Sequence, residues 1–291
     1  MNTPIGYCLN AIPKMIELNN KKCINSIEHL LGDNKIRLLL KSSVGWEQEK
    51  AKVLLENKEI ILGESFLCYL WTCSFLVEIV YNKFVIPILN NCFVDCNSEI
   101  NKAKELFQWG LGLKPGYTDW NAEFPKPHDA EKNPEIELVN LLFAYACNFI
   151  LCHEIGHMFL KHTECEGEHA YCQELEADKI SYKWILEGID INNRLVARLG
   201  ICIALLSSIL MYKEANINGT KHPNSFIRLL KYLTWLKIDN NHELWALSLS
   251  VIGLWDSKYD IFADFTPKKE LGYKERFVTL LTTLGISKND L

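Results

Sequence analysis

The sequence is short of positive charge. Its 31 Lys and Arg stand against 36 Asp and Glu, a net charge of −5 at pH 7. A nucleic-acid binder needs a basic footprint to displace counterions from phosphates, so that class is excluded; a protein substrate is not. No CxxC pair occurs among the eleven cysteines, which scatter from Cys8 to Cys202. Their odd number, together with a Met1–Asn10 segment unlike a signal peptide, reads as buried reduced thiols in a cytoplasmic protein. An uncharged apolar run of the ~18 residues that a membrane-crossing helix needs is also lacking. Phe66–Val77 is bracketed by Glu64 and Glu78, Leu138–Cys152 contains Asn140 and Asn148, Leu199–Tyr212 follows Arg198, and Leu244–Trp255 is too short. These stretches read as buried core helices, with peripheral membrane contact as the lesser reading. Neither an internal repeat nor a flexible linker interrupts the chain, which favours one domain over residues 1–291.

What is present is an ordinary globular profile, 48% hydrophobic and 23% charged over 291 residues. A chain of this length hides roughly three quarters of its unfolded surface and builds a full core without disulfides. Its patterning predicts a mainly α fold, α+β with a minor sheet. A helical N-terminal part (1–133) leads into a central core (134–237) and a helical C-terminal part (238–291). Glu47–Glu56 has the periodicity of an amphipathic helix, Lys58–Leu62 that of a short strand, and Glu64–Tyr81 and Asn101–Trp109 those of helices. Gly110–Asn133 breaks this texture with clusters of Gly and Pro and the run Phe124-Pro125-Lys126-Pro127. It is expected to be a long loop bordering a cleft and facing substrate. Asn133-Pro134-Glu135 is a helix start: a capping residue, proline at the first helical position, then an acid. That helix is expected to run to about His162. Another spans Tyr171 to Glu187 and stops at Gly188, a third ends near Tyr212, and a fourth covers about Pro223 to Lys237 after a turn at Asn216–Thr220.

Near the end of the long helix lies His153-Glu154-Ile155-Gly156-His157. Two histidines four apart rise about 6 Å along the axis and share one face, so both rings can hold one ion. Glu154, next to the first of them, has the spacing of a general base that touches a water without ligating the metal. On the following helix comes Glu174-Leu175-Glu176-Ala177-Asp178. A catalytic zinc takes three protein ligands and keeps a position for water, and Glu174 is the candidate third ligand. Asp178, one turn on, is spaced to accept the outer ring N–H of a ligand histidine. Glu176 points about 200° away from Glu174 and reads as solvated. An acidic helix start favoured by the macrodipole is the bland reading of the same residues. His222-Pro223, with Arg228 six residues on, supplies candidates for an oxyanion donor and a residue that orients it. An ordinary capping histidine and a surface arginine would read the same way. His162, Cys165, His169 and Cys172 lie close by and raise the question of a second metal in the 162–172 loop, although their spacing fits no familiar site.

Together, H-E-x-x-H followed by E-x-x-x-D resembles the gluzincin zinc metallopeptidases. With H-P-x-x-x-x-R added, it looks most like the CaaX-prenyl-protease branch and its soluble relatives. That resemblance implies a zincin-like fold with a long HExxH helix and one Zn2+ per chain held at His153, His157 and Glu174. It implies base work at Glu154, an outer role for Asp178, and oxyanion stabilisation at His222 and Arg228. The chain departs from the prenyl proteases in showing no clear membrane spans. Leu70-Trp71 in an apolar helix, and Trp120 with Pro125 and Pro127 ahead of the metal helix, look like the phage-exclusion (Lit) peptidase family. This resemblance implies a cytoplasmic antiviral protease that cleaves elongation factor Tu. Two other classes fit parts of the sequence. A metal-binding regulatory or sensor module would not need Glu154, and a helical interaction protein with a chance motif would bind no stoichiometric zinc.

Overall fold

The computed structural model describes residues 3–9, 37–41, 45–47, 51–54, 59–92, 95–162, 168–187, 189–211, 224–255 and 271–286. The mainly α architecture expected from the sequence is the one observed. After a single helical turn at Gly6–Leu9, a small sheet precedes the longer helices. Its strands β1 (Arg37–Lys41), β2 (Ala51–Leu54) and β3 (Glu59–Gly63) lie in the order β1-β3-β2, with β1 parallel and β2 antiparallel to β3. The register pairs Leu39 with Ile61 and Val53 with Ile60. Within Glu47–Glu56, where the periodicity predicts a helix, Ala51–Leu54 is instead a strand. An apolar run this short does not distinguish the two states, and its partner β3 decides.

The helices follow as α1 (Glu64–Val80), α2 (Asn97–Gly112), α3 (Pro134–Phe159), α4 (Glu168–Glu187), α5 (Arg194–Leu210), α6 (Ser225–Trp235), α7 (Glu243–Trp255) and α8 (Tyr273–Thr283). α3 begins as the sequence predicts, with Pro134 in its first turn and the Asn133 side chain accepting from the Glu135 N–H at 3.0 Å. It is the central element, packed by α1, α4, α5 and β2. Along most of its length it is buried all round, from Ile136 through Phe143, Tyr145 and Phe149 to Ile155, as befits a helix enclosed by others. Gly200 of α5 lies against α3 at a close crossing. A Cβ there would lie 2.3 Å from the Tyr145 Cβ and 3.0 Å from the Leu142 carbonyl oxygen, so only glycine lets α5 sit this near α3.

α1 continues through a π turn (Tyr81–Val85) into Ile86–Leu89, giving one helical stretch of 26 residues. Pro87 has no N–H to continue the regular ladder, and the wider turn ahead of it accommodates the missing donor. Among the described residues, three stretches are long and apolar enough to cross a membrane: Glu64–Leu89, Pro134–Phe159 and Ile191–Leu210. This corrects the expectation that none qualifies. Flanking charges that looked like boundaries are carried inside the helices. The greater part of each window is nevertheless buried against the rest of the protein.

The irregular segment after α2 is held at the far end of α3 from the histidines. Trp71 Nε1 donates to Asn140 Oδ1 at 2.8 Å, and Asn140 Nδ2 donates to the Pro127 carbonyl at 2.8 Å. Trp120 packs against Trp71 and Trp109, with ring centroids 5.5 and 4.6 Å apart. Asn140 precedes His153 by thirteen residues, about 20 Å of helix. These anchors of the 110–133 segment therefore lie about 20 Å along the helix from the histidine pair. Its composition signals an irregular backbone, and Asn140 fixes where that backbone docks.

Candidate metal and hydrolytic site

The site forms where the last turns of α3 meet α4 and the start of α6. Gly156 sets the α3–α4 distance: a Cβ on it would stand 3.0 Å from Ile180 Cγ2 and 3.4 Å from the Ala177 backbone. Ala177, fully buried, supplies the matching small surface on α4. With the two helices this close, Glu174 and Asp178, one turn apart on α4, both reach the histidines.

The Nε2 atoms of His153 and His157 approach to 3.0 Å, and the Glu174 carboxylate lies 3.4 Å from each. Among the described residues, these three form the one group of His, Cys, Asp or Glu side chains close enough to hold a metal ion. A tetrahedral ion with ligand bonds of 2.0–2.1 Å separates its ligand atoms by about 3.3–3.4 Å. The two Nε2 atoms lie 3.0 Å apart, Glu174 Oε2 lies 3.4 Å from His153 and Oε1 lies 3.4 Å from His157, spacings close to the edges of that tetrahedron, and two imidazoles with one carboxylate are a suitable donor set. Glu154, half-buried on the same helix, has no hydrogen bond or ion pair among the described residues, so its carboxylate is available to a water.

Each histidine is held from behind. His153 Nδ1 lies 2.9 Å from Asp178 Oδ1. Asp178, 2% exposed, in turn accepts from Arg228 Nε at 2.7 Å and Nη2 at 2.6 Å. Arg228 Nη1 also lies 3.4 Å from Glu174, so one guanidinium spans the acid behind His153 and the acid beside it. Burial alone would raise the Asp178 pKa, but Arg228 and His153 hold it below the ordinary carboxylate range. Burial likewise opposes a charged His153; its hydrogen bonds to Asp178 and Glu174 outweigh that and push its pKa up to about 10 without a metal. The pocket thus favours a cation, proton or metal, at this position.

His157 has a different support. Its Nδ1 lies 2.9 Å from His162 Nδ1, and His162 Nε2 lies 3.2 Å from Glu176 Oε2. Glu176 is exposed, as its helix position predicts, but it has this partner. His169 and Cys172 are exposed on α4, and Cys165 lies outside the described residues. His162 thus belongs to the His157 arm and joins no second metal group among the described residues. His222 also lies outside the described residues. Arg228, expected to face an oxyanion, is engaged with Asp178 and Glu174. Tyr182, one turn beyond Asp178, stacks on Trp235 at 5.4 Å. It stands eight residues, about 12 Å of helix, past Glu174.

Nine cysteines among the described residues are free thiols, seven of them buried. Burial pushes the Cys8 thiol up to about 12 and those of Cys68, Cys73 and Cys202 higher still, which makes them inert packing groups.

Residues 60–248 match the family model described as Peptidase U49, a span that includes both the Trp71–Asn140–Trp120 cluster and the whole site. The chain is 25% identical to the cell death peptidase of Escherichia coli (strain K12) over 264 residues, covering 85% of this chain and 86% of that protein. No solved structure matches.

Proposed function

Since this chain belongs to the Peptidase U49 family, and is therefore a protease, we propose that it is a zinc-dependent endopeptidase acting through His153, Glu154, His157 and Glu174. The observation that carries the reading is the convergence of two imidazole nitrogens, 3.0 Å apart, with a carboxylate that has an oxygen 3.4 Å from each, beside a Glu154 that has no hydrogen bond among the described residues. Zinc bound by these three residues would supply Lewis acidity, lowering the pKa of a bound water to about 7 and polarising the scissile carbonyl. Glu154 takes the proton of the attacking water and returns it to the departing amine. Asp178 keeps the proton of His153 on Nδ1 and so leaves Nε2 as the ligand atom. Arg228 holds Asp178 in place and neutralises part of the charge that two acids bring to the site. His222, two residues ahead of the Asn224 cap of α6, enters as oxyanion donor from sequence alone. A module that only bound metal would have no use for Glu154.

The wider role follows the relatives. The similar Escherichia coli protein is a cell death peptidase, and the family resemblance points to elongation factor Tu as a cytoplasmic substrate, cut as an antiviral response. The free thiols accord with a reducing compartment. The test is a search for new protein termini in host cells expressing the wild-type chain or Glu154→Gln. A cleavage product present only with the wild type supports the protease, and one mapping to elongation factor Tu supports the substrate. Identical terminus profiles, with metal bound by both, would leave a metal-binding module.

A further inference from the structure

We propose that His162 and Glu176 are positioning residues for the metal centre: a buried imidazole and an exposed carboxylate that fix the His157 ring through its outward nitrogen. The inference rests on the reading of His153, His157 and Glu174 as the metal-binding set. It concerns the ligand whose outward nitrogen meets an imidazole instead of a carboxylate.

The geometry permits one self-consistent placement of protons. If His157 ligates through Nε2, its neutral ring carries the proton on Nδ1. That N–H points at His162 Nδ1, 2.9 Å away, which must then be the acceptor. His162 therefore bears its own proton on Nε2, the atom 3.2 Å from Glu176 Oε2. Every donor in the chain from His157 to Glu176 meets an acceptor. The two rings stand 5.0 Å apart at 70°, an edge-on arrangement that suits a ring-to-ring hydrogen bond and not a stack. His162 is only 8% exposed at its side chain, whereas Glu176 is 62% exposed, so the arm runs from the buried ligand to solvent.

The backbone is shaped to deliver this ring. α3 ends with Lys161 in the left-handed region (φ 56°). The His162 N–H bonds the His157 carbonyl at 3.0 Å, and the Lys161 N–H bonds the Met158 carbonyl at 3.2 Å. That is the double closure of a helix end for which glycine is the usual choice, because a side chain in this conformation crowds the backbone. The reversal of the chain folds His162 back over the last turn, onto the outward edge of His157. A histidine that merely filled space would not need both nitrogens aligned between a ligand and a carboxylate.

The test uses the full-length protein, Zn2+ affinity from chelator competition, and the visible spectrum of the Co2+-loaded protein as a report on ligand geometry. His162→Leu, of similar size but without an acceptor, should weaken Zn2+ binding by about 10–100-fold and alter the Co2+ bands. In His162→Asn the side-chain oxygen stands where Nδ1 was, so affinity should return to within a few-fold of wild type. Glu176→Gln, whose amide oxygen still accepts, should lose less than His162→Leu. Wild-type affinity and an unchanged Co2+ spectrum in His162→Leu would overturn the proposal while leaving the metal site intact. Should that variant fail to fold, His162→Gln replaces it, because its oxygen reaches the Nε2 position instead. Tighter binding by Asn than by Gln supports the arm, and equal binding overturns it. Failure of the wild type to bind Zn2+ any better than His153→Ala would overturn the metal centre itself, and this inference with it.

Discussion

Arg228 and Asp178 are joined by two parallel hydrogen bonds, Nε to Oδ2 at 2.7 Å and Nη2 to Oδ1 at 2.6 Å, which tie α6 to α4 directly behind His153. A planar guanidinium meets a carboxylate in this two-point manner, and an ammonium cannot. The arrangement makes Arg228 a clamp on the residue that orients a metal ligand.

The clamp predicts how Arg228 variants fail. Arg228→Ala leaves a buried carboxylate without its counter-charge, a loss of about 3–5 kcal/mol for pairs of this kind, visible in denaturant unfolding. Zn2+ affinity should fall by about 10–100-fold, because His153 loses its fixed partner. Arg228→Lys should fall between wild type and Ala. If Arg228 instead served the oxyanion, the Ala variant would keep its Zn2+ affinity and lose kcat alone. Chelator competition alongside steady-state kinetics separates the two roles.

Glu154 and the three candidate ligands should differ in kind. His153→Ala, His157→Ala or Glu174→Ala should each sharply reduce the zinc content of purified protein, read by elemental analysis. Glu154 lies about 100° around the helix from His153 and outside the ligand set. Glu154→Gln should keep zinc and fold while losing about 10²–10⁴-fold in cleavage rate, the usual range for general-base assistance. Loss of zinc in Glu154→Gln would remove it from the base role.

What the sequence makes legible here is what a helix repeats. His153 with His157, and Glu174 with Asp178, are four apart, so their shared faces follow from 3.6 residues per turn, and Asn133-Pro134 marks its helix start by local chemistry. What it hides depends on distant partners. Ala51–Leu54 becomes a strand because β3 pairs with it. The 110–133 segment docks at Asn140, because Trp71 and Pro127 converge there. His162 follows a helix end at Lys161 that no glycine announces, and Glu176 finds it across a gap of fourteen residues.

Gly200 tests the packing that supports α3. A Cβ at this position would come within 2.3 Å of the Tyr145 Cβ, an atom fixed to the helix backbone and unable to rotate away. Gly200→Ala must push α5 from α3, which outweighs the better helix propensity of alanine. Denaturant unfolding should show a loss of about 1–3 kcal/mol, the usual cost of overpacking. A stability equal to or above wild type would mean that the two helices are not so closely crossed.

Glu78 predicts a pH dependence unconnected with the metal. It lies on α1, 2% exposed, with Oε1 accepting from Asn82 Nδ2 at 2.7 Å and Oε2 unpartnered among the described residues. Burial raises its pKa above the usual carboxylate value; Asn82 and Lys83 pull it down and Glu135 adds to the rise, but burial prevails. Lys83 is itself committed to Glu135 at 2.6 Å. A raised acid binds its proton more tightly in the folded chain than in the unfolded one, so stability falls as pH climbs from the unfolded pKa through the folded one and stays reduced above it. Glu78→Gln mimics the protonated acid at every pH. It should therefore gain stability at pH 7–8, on the order of 1–3 kcal/mol for relieving a buried unpartnered group, and gain little near pH 4. Thermal melts of both proteins across that range, in the presence of a chelator to hold the metal state constant, should show two curves that diverge as pH rises. Parallel curves, or a gain that grows toward acid pH, would place Glu78 in contact with solvent or with an uncommitted cation.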